Sequence, residues 1–467
     1  MFTFEEEMSR FCKNPASFPN HDIRNLEPAT GIKPLTSDKP RHVAIRRVYW
    51  YDQVSTQPAP AASGRIDADV VIVGGGIAGL TAALRLRTMG KDVVLLEATE
   101  CGAGATGRSS GFITPDSELG LGQLVIRFGA SDATLLWRAA QHACERIRSE
   151  INQLQIECDF VPADSLLAAN TTGKIAAIRK EHEAHERLGF RSDWYDREHI
   201  TEILGGEGFT AGVRTFGTFA INAFAYAQGL KRAFIAAGGR CFEGSPVTEI
   251  LSNAVRTNDA VAQSQTIVLS LDRYAPVLGI ETKDTYHAQA FLTVTEPLTD
   301  DMWQHIFPEA PLLVCDSDLI YQYFRRTGEG RLLVGGGLLS ETYAAKENPN
   351  PRAFRKIERY ARQRFPGLKD ARFTHAWQGF IGMSKDLLPI AGRSPTEPGH
   401  YVAMCGAGLP WSVLAGECVA AQVIGDSTPI DHFFVPKRTF NRVEAFQPIL
   451  GKPLTWALSY YFAKQWP

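Results

Sequence analysis

Three glycines and one acid hold the clearest chemistry in this chain. Gly74, Gly76 and Gly79 form G-x-G-x-x-G within "DADVVIVGGGIAGLTAALRL", and Glu97 follows Gly76 by 21 residues, closing the next apolar run. The first glycine permits a tight turn after a strand. The second lets backbone N–H groups approach a pyrophosphate, and the third lets the following helix pack on the strand. Phosphates then meet the positive end of the helix dipole. A carboxylate at Glu97 accepts hydrogen bonds from ribose hydroxyls; its plainer alternative is a solvated strand-end glutamate. A lone glycine motif says little, but strand, helix, second strand and terminal acid together define a dinucleotide-binding βαβ unit.

A second cluster, "GAGATGRSSG" at residues 102–111, follows directly. Small residues with hydroxyls and one arginine suit a loop that runs along a long cofactor, past the pyrophosphate towards a ring system. Thr106, Ser109 and Ser110 supply donors, and the glycines let the backbone approach a flat ring. A solvated surface loop is the bland reading of the same composition. Only one dinucleotide fingerprint is present, so a separate nicotinamide site is not expected.

Further along, "IYQYFRRTGEG" carries Tyr321, Tyr323, Arg325 and Arg326 on a strand running into a turn. Side chains alternate along a strand, so one of the two arginines faces a cavity. An arginine fork there binds a carboxylate in two places; an ion-paired strand end is the rival reading. Trp377, Trp411 and Tyr323 are candidate pocket walls, against the commoner role of buried core aromatics. His287, at the start of a strand, is a candidate base. Gly406 and Gly408 precede a helix over residues 412–424 whose N-terminal dipole would stabilise negative charge on a reduced ring.

The elements that must position these residues come from periodicity. Residues 68–73 and 92–96 are β-branched buried strands with a helix over 79–89 between them. Residues 130–220 are helical and charged, and 225–237 is a further helix. Residues 285–340 alternate as antiparallel sheet, 352–365 is an amphipathic helix, and 401–404 is a strand. Nucleotide-type elements recur at both ends and in the middle, so the two domains interleave. The expected division has an N-terminal extension (1–65), one domain over 66–125, 222–272 and 375–430, the other over 126–221 and 273–374, and a tail (431–467).

Composition sets the limits. The chain has 467 residues, 44% hydrophobic and 21% charged, with a formal charge of -2, which gives no sign of a nucleic-acid partner. Eight scattered cysteines without a C-x-x-C pair argue against structural zinc, and no metal site is expected. Reduced thiols and a cytoplasmic setting are expected. The acidic N-terminus lacks the apolar core of a secretory signal, and no apolar run reaches the roughly 18 residues of a spanning helix. The aromatic tail "PLTWALSYYFAKQWP" is expected to pack on its own domain.

With these segments in hand, the sequence resembles the flavin-dependent amine and amino-acid oxidases of the D-amino-acid oxidase and glycine oxidase superfamily. It is most similar to the γ-glutamylputrescine oxidase-like branch. "VYWYD", "GAGATGRSSGF", "YQYFRRTGEGRLLVGGG", "WQGFIGMSKDLLPIAGR" and "CGAGLPWSVLAGECVAAQVIG" carry the likeness in the family's order, over residues 48–425. The resemblance implies α/β plus α+β architecture: a Rossmann-type FAD-binding domain interleaved with an antiparallel-sheet substrate domain. It implies FAD, with adenine bounded partly by Val247, and no cysteine matches a covalent attachment pattern, so the FAD is expected to be non-covalent. Candidate cofactor contacts are Gly74, Gly76, Ile77, Ala78, Gly79, Glu97 and Ala98, then Gly104, Ala105, Thr106, Arg108, Ser109, Ser110 and Gly111. Val247, Ser270, Gly379, Gly406, Gly408, Leu409 and Pro410 complete them. In that branch the carboxylate-binding arginine falls on Arg325; with Tyr323, His287 and Trp411 it makes up the catalytic candidates.

The implied reaction is oxidation of the C–N bond of an amine or amino acid by hydride transfer to the flavin, giving an imine that hydrolyses. Oxygen or a quinone-type acceptor would reoxidise the flavin. The alternatives are an NAD-dependent dehydrogenase and a non-catalytic flavin-binding protein. Two segments depart from the family. Ser270 to Arg273 is Ser-Leu-Asp-Arg where an Ala-Thr-Asn-Gly-type turn is usual, and Cys405 to Ser412 replaces Gly-Gly-x-x-Gly-His-Gly. Both lie beside the expected ring site.

Overall fold

Val70–Val73 and Val93–Leu96 are four-residue strands buried along their whole length, as β-branched runs without polar alternation require. In the computed structural model, which describes residues 47–116, 118–280, 284–337, 350–404, 406–438, 440 and 446–464, they lie inside a six-stranded sheet. Its spatial order is Arg240–Phe242, Val93–Leu96, Val70–Val73, Thr266–Leu269, His400–Met404, Ile390–Arg393. Every neighbouring pair is parallel except the last. The helices Ile77–Thr88 and Leu409–Val423 follow two of these strands and share one apolar core. They meet closely because Gly416 lacks a side chain: a Cβ there would lie 2.4 Å from the Ala78 carbonyl oxygen.

Helix starts differ from expectation for local reasons. The helix expected at 225 begins at Ala223, because Asn222 caps it, its side-chain oxygen accepting the Phe224 and Ala225 N–H groups at 3.1 Å each. The helix expected at 412 begins at Leu409. Gly408, at φ 109°, breaks from the preceding turn, and Pro410 fits the first helical turn, where no N–H is needed.

The second large sheet has eight strands, in the order Phe373–Ser384, Thr285–Pro297, Arg331–Gly336, Tyr323–Arg326, Leu312–Asp316, Asp164–Ala169, Ala211–Thr215, Ser192–Tyr195. Its pairs are antiparallel except Leu312–Asp316 against Asp164–Ala169. Two expected domain boundaries need correction. Position 375 falls inside the strand Phe373–Ser384, which is paired along Thr285–Pro297 and so belongs to the eight-stranded sheet through residue 384. Position 125 falls inside the first part of the helix Leu121–Gln153, which kinks at Gly129 (φ 82°) and whose buried face joins the core of the six-stranded sheet.

The stretch expected as an N-terminal extension contains buried structure where it is described. Tyr49–Asp52 is a short helix with Tyr49 and Trp50 buried, and Gly64–Asp67 pairs in parallel with Ala260–Gln263. Three adjacent aromatics have no helical period, so this short helix leaves no signal in the sequence. At the other end, Lys452–Lys464 is a helix, and Trp456 and Tyr460, one turn apart, are buried. Trp456 stacks on Tyr286 with ring centres 5.1 Å apart, so the tail packs on its own chain. Among the described residues no helix is long and apolar enough to cross a membrane.

Candidate cofactor and substrate site

The first glycine turn is dictated partly by the protein and partly by open space. Gly74 has φ 106°, and a Cβ on it would lie 2.2 Å from the Ser270 carbonyl oxygen. A Cβ on Gly79 would lie 2.0 Å from the Gly74 carbonyl oxygen. Gly76 is different: its Cβ would meet only Thr106 Oγ1, at 3.5 Å. Among the described residues no neighbouring atom forbids a side chain at Gly76, which is what a backbone cradle kept clear for a ligand looks like. Ile77 N–H donates to Thr106 Oγ1 at 3.2 Å, tying the second loop to the helix start, and Ala78 lies one residue further in. Ser270 Oγ is buried beside this turn without a hydrogen-bond partner among the described residues.

Glu97 stands at the end of its strand, where it was expected, and also braces the turn. Its Oε2 accepts the Gly75 N–H at 2.7 Å, and Oε1 accepts the Thr99 N–H at 2.9 Å and hydroxyl at 3.2 Å. Burial holds its carboxyl above the usual range in spite of these bonds. This bracing role was not visible in sequence. Ala98 beside it is exposed, and Val247 is buried.

In the second loop, Thr106–Arg108 forms one 3-10 turn and Ala105 precedes it. Gly111 has φ 76°, and its Cβ would lie 1.9 Å from the Ile221 carbonyl oxygen. Gly104 is exposed with nothing within 4 Å. Gly379 faces Arg108, whose Cβ would be 3.2 Å from a Cβ there. Thus the eight-stranded sheet reaches the cofactor loop at this glycine. Gly406, Gly408, Leu409 and Pro410 form the entry to the helix Leu409–Val423, where Ser412 Oγ donates to the Gly406 carbonyl at 2.9 Å. Cys405 lies outside the described residues.

The four catalytic candidates separate. Arg325 and Tyr323 share a face of their strand, whereas Arg326, on the opposite face, lies over the Trp303 ring. Arg325 is fully buried. Its Nε donates to the Ser110 carbonyl at 2.7 Å, Nη1 to the Arg326 carbonyl at 3.0 Å and Nη2 to the Ile221 carbonyl at 2.9 Å. The expected carboxylate fork is therefore corrected: this guanidinium is engaged by backbone. Burial pushes its pKa down to about 10, with Asp159 opposing that shift.

Trp411 is also corrected. It is a core residue packed edge-on to Phe434, and its Nε1 donates to the Pro115 carbonyl at 2.9 Å. Tyr323 is half-buried, edge-on to Phe112 at 5.9 Å, and burial pushes its hydroxyl pKa well up. Its hydroxyl makes no hydrogen bond among the described residues, so strand and cofactor loop meet at a free phenol. His287 belongs to another stack, parallel to Tyr286 at 5.2 Å and edge-on to Phe380 at 5.0 Å. Trp377, a candidate wall, is buried and donates from Nε1 to the Arg108 carbonyl at 3.0 Å.

These features define a dinucleotide site joined to a second sheet. Residues 69–422 match the DAO family of FAD dependent oxidoreductases; the chain belongs to that family and is an FAD-dependent enzyme. It is 28% identical over 379 residues to "Probable oxidoreductase OrdL" of Haemophilus influenzae, covering 78% of this chain and 85% of that one. It is 27% identical over 385 residues to γ-glutamylputrescine oxidoreductase of Escherichia coli, covering 80% and 88%. Among solved structures, glycine oxidase from Geobacillus kaustophilus superposes with TM-score 0.69 at 19% identity, over 80% of this chain and all of that one. The family settles the choice between nicotinamide and flavin. The open face at Gly76 and the unpartnered Ser270 Oγ fit a bound FAD.

Proposed function

We propose that the protein oxidises the C–N bond of a primary or secondary amine, using non-covalent FAD. When bound, FAD supplies the hydride acceptor, and the imine product is hydrolysed by water. Gly76, Ile77 and Thr106 would hold the pyrophosphate, Glu97 the adenosine ribose, and Val247 the adenine side. The N-terminus of the helix Leu409–Val423 would favour negative charge near the ring. Tyr323 and Phe112 would wall the substrate side. An oxygen or quinone acceptor and a cytoplasmic setting belong to the same proposal.

The observation that carries the substrate class is the guanidinium of Arg325. Three of its nitrogens donate to backbone carbonyls, so it is not offered to a substrate carboxylate. That supports an amine over an α-amino acid held by its carboxylate, in keeping with the relative named for γ-glutamylputrescine. The test is anaerobic mixing of the FAD-loaded protein with amines and with amino acids, followed at the flavin's visible band. Bleaching by amines and not by small α-amino acids is expected. Bleaching by glycine or proline alone would overturn the substrate class, and air or a quinone admitted afterwards identifies the acceptor.

A further inference from the structure

Four backbone carbonyls of the cofactor loop are held by side chains from distant segments. Tyr51 Oη donates to the Ala103 carbonyl at 2.6 Å and Trp50 Nε1 to the Ser109 carbonyl at 2.9 Å. Trp377 Nε1 donates to the Arg108 carbonyl, and Arg325 Nε to the Ser110 carbonyl. Three consecutive carbonyls, 108 to 110, are thus tied by three different side chains.

In a planar trans peptide the C=O and the following N–H point in opposite directions. Fixing the Ser109 and Ser110 carbonyls therefore turns the N–H groups of Ser110 and Gly111 the other way. Neither N–H has an acceptor among the described residues, and Gly111 is buried. A buried N–H without a partner is costly in a finished protein, so this pair points to a ligand acceptor.

Two of the four donors come from the helix Tyr49–Asp52, which precedes the family match at residue 69. The same helix is anchored on the eight-stranded-sheet side. Tyr49 Oη donates to Glu329 Oε2 at 2.8 Å, and Asp52 Oδ2 lies 3.3 Å from His375 Nε2. The Trp50 ring lies 4.9 Å from the Arg325 guanidinium carbon and packs edge-on to Trp377 at 6.4 Å. Asn222 Nδ2 donates to the Trp50 carbonyl at 3.3 Å.

We propose that Trp50 and Tyr51 are positioning residues for the flavin. They hold the loop so that the Ser110 and Gly111 N–H groups form a fixed donor pair for bound FAD, which sets both its affinity and its reduction potential. Donors preorganised around a ring that gains electrons stabilise the reduced form without reorganising. This role goes beyond the amine reading and does not depend on it.

The test uses Trp50→Phe, which keeps the ring and removes the N–H, and Tyr51→Phe, which removes only the hydroxyl. FAD affinity is measured by titrating the full-length apoprotein, and reduction potential by equilibration with a reference dye. Each variant is expected to raise the FAD Kd by about threefold to tenfold, the range for one neutral hydrogen bond. The potential should move to more negative values. Tyr49→Phe removes a bond of the same kind from the same helix, to Glu329, and should leave both quantities unchanged. Wild-type affinity and potential in both loop variants would overturn the proposal. Equal shifts from Tyr49→Phe would also overturn it, reducing the helix to a structural plug. If Trp50→Phe does not fold, Tyr51→Phe decides alone. Neither readout requires a substrate, so failure here is separate from failure of the amine reading.

Discussion

Tyr460 on the C-terminal helix donates to Glu118 Oε2 at 3.1 Å, and Glu118 lies on the segment that leaves the cofactor loop. Tyr321 donates to the other carboxylate oxygen at 3.0 Å, and Lys464 Nζ lies 3.2 Å from Oε2. One carboxylate thus ties the tail, the loop exit and the Tyr321 segment together. Glu118→Ala should strand all three partners. A loss of about 2–4 kcal/mol is expected from removing an acid with several charge-assisted bonds. Tyr460→Phe should lose about 1 kcal/mol. Denaturant unfolding with limited proteolysis of the tail checks both, and an unchanged tail in Glu118→Ala would refute the tie.

Gly76 and Gly79 should fail in different ways when changed to alanine. Gly79→Ala places a Cβ 2.0 Å from a backbone oxygen and should destabilise the turn itself. Gly76→Ala meets only a hydroxyl at 3.5 Å and should fold normally. Its FAD affinity should fall roughly fivefold to a hundredfold, since overpacking a tight contact costs about 1–3 kcal/mol. Melting temperatures of the apoproteins together with flavin content separate the two. A Gly76→Ala protein that is fully yellow would sink the cradle.

Glu97→Ala removes three accepted hydrogen bonds as well as the proposed ribose acceptor. Apoprotein stability should drop by about 1–3 kcal/mol as the Gly75 and Thr99 donors lose their partner, and FAD retention should fall with it. Full flavin occupancy after purification would count against the ribose role.

Arg325→Lys keeps the charge and loses the fork that reaches the Ser110 and Ile221 carbonyls. Stability should fall by about 2–4 kcal/mol through buried carbonyls left without donors. Flavin reduction by acidic and by neutral amines should decline to the same extent. A selective loss with carboxylate-bearing substrates would restore the carboxylate role to this arginine.

The Asp316 carboxyl is buried and raised to about 6, chiefly by desolvation with the Asp318 charge adding to it. An ordinary aspartate titrates near 3.9, so the fold favours the protonated form. Its stabilising contribution is complete below about pH 3.9 and is lost as pH rises through about 6. Asp316→Asn should therefore gain on the wild type between pH 4 and pH 7, by up to about 3 kcal/mol for a two-unit shift. Denaturant midpoints across that range give the comparison, and parallel pH profiles would show that Asp316 does not titrate there.

The cofactor half of the site was legible because its signals are local. Gly74, Gly76, Gly79 and Glu97 fall within one βαβ unit, and strand, turn and helix leave their periods in a short window. Arg325 was misread for the opposite reason. Two of its three carbonyl partners are 215 and 104 residues away, and backbone atoms leave no residue-type signature. Trp50 was invisible as a loop brace because its role depends on a carbonyl 59 residues away. Trp411 looked like a pocket wall because an aromatic beside a glycine turn suits either role, and only its bond to Pro115 distinguishes them. The bounds at 125 and 375 failed because a helix that kinks only at Gly129 and a strand that runs to Ser384 both pass the expected boundaries.

The order of the six-stranded sheet has a consequence for biosynthesis. Val70–Val73 lies between Val93–Leu96 and Thr266–Leu269, and the latter strand is flanked on its far side by His400–Met404. A ribosome emits the glycine turn early, yet the sheet beneath it is complete only once residue 404 has emerged. Pairings of such sequence separation nucleate slowly. Completion of this sheet is thus a late event in synthesis, and until then the nascent chain carries an apolar strand edge that invites aggregation.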